Sequence, residues 1–273
     1  MAQIQQYDLV DEDRELIKAI ERGSSLVSFE KTTPKFRELA SGLLFQFADS
    51  QLAGAAGYNN CLNWGPTLDD RIALATIVVE KMDMAKKTYA ILASQNLNVE
   101  KYFESHSWDA KVLRGADVGF RRASWDKRLN ALIYPLESWV DMAIFAHLMS
   151  SMTCYTLNDF AKCSFAPLKS LADGCLIVEK RHEAFGENQL EKLARIPSNT
   201  IVLQSSLNYW FPRVATSFGT TKSLRNDLYR QFHLKAATNT ELQGKWTQQI
   251  QALYEQLKLK VPILNIDNAA TCN

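Results

Sequence analysis

Residues 129–161 read LNALIYPLESWVDMAIFAHLMSSMTCYTLNDFA. Leu132, Ile133, Trp139, Ile144, Phe145, Leu148 and Met149 make this the most apolar part of the chain. The pattern predicts one long helix from Leu129 to about Ala161. A helix so apolar must be covered by other elements.

The flanking sequence supplies those elements. Ala166 to about Ala194 reads as a helix, with Pro167 tolerated near its start. Lys35 to about Tyr58 follows Pro34 and carries Phe36, Leu39, Leu43, Phe47, Leu52 and Ala55 at helical spacing. The segment Gly57–Pro66 (GYNNCLNWGP) breaks it. Thr67–Gln95 follows, with Thr67 as an N-cap and Asp69 and Asp70 at the positive end of the dipole. Ile72, Ala75, Ile77, Val79, Met82 and Tyr89 give its apolar pattern. Further helices are predicted over Asn199–Ser217, broken at Phe218-Gly219, and over Glu241–Leu257. Thr238 and Glu241 have capping-box spacing before the last one. Four long apolar helices bury their stripes against each other, so the fold class is all-α, a four-helix bundle with extra C-terminal helices. The domain reading is a lead-in over 1–34 with one short helix (Asp11–Arg22), a single helical domain over 35–262, and a frayed tail over 263–273.

Composition agrees with that reading. Eleven Gly and seven Pro in 273 residues are few turn-formers, which favours long helices over many strands. Lys plus Arg number 31 and Asp plus Glu 30. Such a balance gives no electrostatic reason to expect nucleic acid. No apolar run reaches the ~18–20 residues that span a bilayer. The polar, acidic start, Met1–Arg14, does not read as a signal peptide. Five cysteines (Cys61, Cys154, Cys163, Cys175, Cys272) without a C-x-x-C pair suit reduced thiols in a cytoplasmic protein.

A helical bundle can hold a metal by pointing carboxylates and His inward, with Glu-x-x-His placing both ligands on one helix face. Of the four histidines, only His182 has a Glu three residues before it, Glu179. The plainer reading of Glu179-Lys180-Arg181-His182 is a solvated face. Glu80 and Asp83 are also three apart, and they equally suit a surface patch with Lys81, Lys86 and Lys87. Asp49 lies in an apolar helix, where a buried carboxylate needs a partner. Glu137 and Asp141 complete the acidic candidates. Trp64, Trp125, Trp139 and Trp210 read as core. Arg121, Arg122, Lys127 and Arg128 read as ordinary surface or as a site for an anionic carrier.

Several stretches carry a resemblance to one family. They are Phe47-Ala48-Asp49-Ser50-Gln51 with Asn63-Trp64-Gly65-Pro66-Thr67-Leu68; Tyr134-Pro135 with Ser138-Trp139-Val140-Asp141; Glu179-Lys180-Arg181-His182; Tyr209-Trp210-Phe211-Pro212 with Phe218-Gly219; and Thr238–Leu242 with Val261-Pro262. In this order and spacing the chain resembles the phenylacetate-degradation family of ferritin-like proteins. That family contains the catalytic and structural subunits of the ring-1,2-phenylacetyl-CoA epoxidase, and the last pair of motifs looks more like the catalytic one. The resemblance implies a ferritin-like bundle with a di-iron centre. Its ligand positions fall on Gln51, Lys81, Met84 and Ser150, and only Glu179 and His182 match.

The implied function is a subunit with a degenerate di-iron site. It would pair with a protein partner of the same family, as a homo- or heterodimer, in a multicomponent monooxygenase acting on an acyl-CoA thioester. Lys81 would pair with Glu179 in place of metal. The alternative is a working oxygenase whose iron is held by Asp49, Glu80, Asp83, Glu137 or Asp141, Glu179 and His182. Its electrons would come from a separate reductase, since no G-x-G-x-x-G occurs here. A non-redox helical scaffold is the third reading, favoured by a large exposed apolar face.

Overall fold

The computed structural model describes residues 9–264 apart from 122 and 124. The predicted frayed tail lies outside the described residues from 265 on, as do Cys272 and Arg122.

Helix α1 (Asp11–Glu21) precedes α2 (Pro34–Asn59). The Thr33 hydroxyl caps α2 by accepting from the Phe36 amide at 3.2 Å, and Pro34 occupies the first turn. Helix α3 (Leu68–Ser94) starts at Thr67, whose hydroxyl accepts from the Asp70 amide at 3.1 Å. A crossover over 95–138 contains the short α4 (Val99–Glu104). It leads to α5 (Trp139–Phe160), and α6 (Ala166–Ala194) returns antiparallel after a short turn. Then come α7 (Thr200–Ala215), α8 (Leu224–Gln231) and α9 (Asn239–Gln256). The α9 capping box is formed: the Thr238 hydroxyl accepts from the Glu241 amide, and the Glu241 carboxylate accepts from the Thr238 amide.

Two antiparallel hairpins, α2/α3 and α5/α6, pack into a four-helix bundle joined by one long crossover, the ferritin-like arrangement. Helices α7 and α9 cover α5. Their seam is aromatic. The Trp246 ring stacks on Phe211 at 5.0 Å, and its indole N–H donates to the Ser151 hydroxyl at 2.8 Å. Helices α5 and α6 approach closely at Gly186, where an added Cβ would stand 2.5 Å from the His147 amide nitrogen. Among the described residues the one β pairing is an isolated Leu26–Phe165 bridge.

Several expectations need correction. The apolar stretch does not begin its helix at Leu129. Residues Asn130–Ile133 form a 3₁₀ turn, Tyr134 is extended before Pro135, and Ser138 caps α5 by accepting from the Asp141 amide at 3.1 Å. Trp139 and Trp210 are core, but Trp64 and Trp125 are 40% and 63% exposed. The apolar pattern of α3 splits over two faces. Leu74, Ile77, Val78 and Met84 point inward, while Ile72, Val79 and Met82 are exposed. Helices α4 and α8 were not predicted. They are short, at six and eight residues, so each offers only about two turns of pattern.

Candidate functional site at the centre of the bundle

The buried apolar residues fall into two clusters. Ala48 (α2), Met84 (α3), Leu157 (α5) and Cys175 (α6) belong to one. Ala53 (α2), Val78 (α3), Met149 (α5) and Leu190 (α6) belong to the other. Between them, on the same helices, lie Gln51, Lys81, Ser150, Glu179 and His182, all buried. A polar layer thus crosses the bundle where its four long helices meet.

The layer is joined by short contacts. The Lys81 ammonium donates to Glu179 Oε1 at 2.8 Å and to Gln51 Oε1 at 3.2 Å. The Gln51 amide donates back to Glu179 Oε1 at 3.3 Å. His182 Nδ1 faces Glu179 Oε2 at 3.3 Å, and its Nε2 faces Glu80 Oε2 at 2.8 Å. Arg181 pairs with the other Glu80 oxygen near the surface. Both ring nitrogens therefore face carboxylates. Facing polar groups thus run in a row from Lys81 through Glu179, His182 and Glu80 to Arg181.

Gly54 makes room for the lysine stem, since a Cβ there would stand 3.3 Å from Lys81 Cδ. The ammonium lies 5.9 Å above the Tyr58 ring. Burial raises the Glu179 carboxyl, but the Lys81 charge and the His182 hydrogen bond outweigh it and hold the group at about 2. Burial acts the same way on Glu80, and its bonds to His182 and Arg181 pull it below the usual range. A cavity of about 50 Å³ adjoins the layer, lined by Gln51, Tyr58 and Lys81 and by apolar groups including Phe47, Leu132 and Met152. That volume admits a few waters.

The structure therefore brings Glu80, Lys81, Glu179, His182, Gln51 and Ser150 to one region of the bundle and leaves other candidates elsewhere. Asp49 faces away from Gln51, and its carboxylate accepts from Tyr89 at 2.8 Å and Tyr102 at 2.6 Å. Burial lifts its proton affinity despite those bonds. Asp83 is on the surface, 2.7 Å from Lys87. Asp141 is held by Arg114 at 2.6 Å and by the Ser206 hydroxyl at 2.7 Å, and Glu137 meets the same arginine at 3.2 Å. Met84 is packed in the apolar cluster below. Ser150 Oγ is buried with no hydrogen-bond partner among the described residues. Of the basic group, Arg128 is buried and satisfied by Asp126 and by the carbonyls of Trp108 and Ala110.

Among the described residues, no group of three or more His, Cys, Asp or Glu side chains is arranged to hold a metal ion. Glu80 and Glu179 lie on opposite edges of the His182 ring, so their oxygens do not converge on one point. The free face of Glu179 is met by an ammonium. As arranged, these donors do not fit an iron pair, which needs several converging carboxylates to neutralise it. No helix among the described residues is long and apolar enough to cross a membrane.

The bundle with its crossover defines a ferritin-like helical protein. A sequence model of the phenylacetic acid catabolic protein family matches residues 27–269, and the chain belongs to that family. No curated protein matches the chain.

Proposed function

We infer that this chain is a phenylacetate-degradation subunit in which an ion-pair network fills the place of a di-iron centre, and that it acts as a partner subunit rather than as the oxygenase. One observation carries the reading: the Lys81 ammonium lies 2.8 Å from Glu179, with the two side chains 6% and 0% exposed. A cation among these donors opposes metal through like charge, and Glu179 is already neutralised. The work of such a subunit is to bind and orient a catalytic partner that handles an acyl-CoA thioester, with electrons from a reductase component.

The test is elemental analysis of protein expressed with added iron, alone and with candidate partner subunits. The expected result is no stoichiometric iron in this chain. Two irons per chain would overturn the reading.

A second reading has one observation in its favour. Glu80 reaches His182 at 2.8 Å, so a carboxylate from α3 does join the Glu179–His182 pair. On that reading Glu80, Glu179 and His182 form a remodelled iron site of a working oxygenase. It is eliminated if Glu179→Ala and His182→Ala leave turnover by the assembled complex unchanged.

A further inference from the structure

Three polar groups that the fold leaves without partners line one cavity. It is the space of about 50 Å³ beside the polar layer, walled by α2, α5 and the segments around Leu132 and Ser217. Tyr58 is 1% exposed, and its hydroxyl has no hydrogen-bond partner among the described residues. The buried Ser217 hydroxyl has none either. Lys235, in the turn between α8 and α9, is the third. Its ammonium lies 5.7 Å from the Tyr229 ring and meets no acceptor among the described residues. Lys81 lines the same space, but Glu179 and Gln51 satisfy it. A buried polar group without a partner is costly, and several around one space point to something that completes them.

Their chemistry defines the complement. An ammonium only donates and each hydroxyl can donate, so the complement carries acceptors. Beside an unpaired cation the matching acceptor is an anion, and a carboxylate makes a charge-assisted bond there. The half-buried Lys235, Gln46 and Thr156 mark the end that meets solvent, while Tyr58 and Gln51 lie at the buried end. Phe47, Leu132 and Met152 wall the space between, which favours carbon over a bare inorganic anion. Size narrows the choice further. An apolar cavity of about 150 Å³ takes a benzene ring, so a space about a third of that admits neither a ring nor a coenzyme A thioester. It admits the bulk of roughly three to five waters, which is that of a chain of a few carbons.

We propose that this cavity binds a short-chain aliphatic carboxylate carrying a second oxygen, an oxo or hydroxy acid. Lys235 pairs with the carboxylate at the solvent end, and the unpartnered hydroxyls of Ser217 and Tyr58 serve the second oxygen. The inference goes beyond the closed polar layer and stands without it, because ligand affinity and iron content are measured separately.

The test is titration calorimetry of the full chain with 4-oxopentanoate, pentanoate, phenylacetate and inorganic phosphate at fixed ionic strength. The expected result is saturable binding of one 4-oxopentanoate per chain. Pentanoate should bind about 3- to 10-fold more weakly, the worth of one neutral hydrogen bond. Phenylacetate and phosphate should not saturate. Lys235→Met should weaken 4-oxopentanoate binding by more than about 10-fold, since it removes a charged donor. Tyr58→Phe with Ser217→Ala should erase the preference for 4-oxopentanoate over pentanoate. None of these groups has a hydrogen-bond partner among the described residues, so thermal midpoints of the variants should not fall below the parent's. That control tells a lost ligand from a lost fold. No saturable binding of 4-oxopentanoate overturns the proposal. So does equal binding of pentanoate, phenylacetate or phosphate, or an affinity unchanged in Lys235→Met.

Discussion

The Lys81 ammonium and the Glu179 carboxylate meet at 2.8 Å inside the bundle, linking α3 to α6 through side chains that are 6% and 0% exposed. Neither charge is tolerable there alone, because each was taken from water at several kcal/mol. Their worth lies in being paired, and the first prediction follows from that asymmetry. Lys81→Ala leaves Glu179 with only Gln51 and His182 and should cost about 3–5 kcal/mol. Lys81→Met with Glu179→Met should cost far less than either half and come out near neutral or more stable. Urea denaturation of the three proteins measures this. A double variant as damaged as the sum of its singles would refute it.

Acid should destabilise the protein in two stages. Burial holds the His147 ring at about 4, below the ordinary 6.5, so the unfolded chain takes up the proton first. Stability present above pH 6.5 is lost as pH falls from 6.5 toward 4, by about 2–3 kcal/mol. Glu179 is held at about 2, below the ordinary 4.5, so its contribution is present above pH 4.5 and is lost as pH falls from there toward 2. Urea midpoints across pH 2–8 should show both phases. His147→Gln should flatten the upper phase, and the Lys81→Met/Glu179→Met double variant the lower. An upper phase unchanged in His147→Gln would sink this assignment.

Gly186→Ala should destabilise by about 1–3 kcal/mol, the cost of forcing a methyl into a packed interior. The methyl would meet the α5 backbone at His147, which cannot swing aside as a side chain can. Thermal unfolding of Gly186→Ala beside Gly174→Ala, where an added Cβ meets nothing within 4 Å, isolates the steric effect. Equal losses at both sites would mean that the close approach is unimportant.

Trp246→Ala should cost about 3–5 kcal/mol. It removes a fully buried ring stacked on Phe211 and the donor to Ser151, and so loosens α9 from α5. Hydrogen exchange should show α9 amides losing protection first, while α2 and α3 keep theirs. Uniform loss over all helices would show instead that α9 does not separate from the bundle.

The bundle was legible because its signals are local. Caps at Thr67 and Thr238, the break at Gly57–Pro66 and the bounds Ala166–Ala194 depend on neighbours within a few residues, and these agree with the structure. Pro135 and Ser138 were equally readable as a late start for α5, but the apolar run through Leu132 and Ile133 obscured them. The centre was only half legible. The spacing of Glu179 and His182 put both on one face of α6, but the approach of Glu80 from α3 depends on which way two helices turn. No spacing within one helix reports that. The outward turn of Ile72, Val79 and Met82 was hidden for a related reason. An α3 apolar on two sides has no single stripe to betray which side is covered.

The row of paired groups from Lys81 to Arg181 also bears on how such a chain changes over time. Replacing Lys81 with a carboxylate, the simplest step toward a cation site, would set two like charges against each other at Glu179. Removing Glu80 would leave the buried His182 facing one carboxylate. A single replacement at the buried end of the row, Lys81 or Glu179, leaves an unmatched neighbour in a place that penalises it. The buried pair therefore works as a ratchet: a lineage that has acquired it can exchange it only through paired substitutions, and drift one residue at a time runs into a stability barrier.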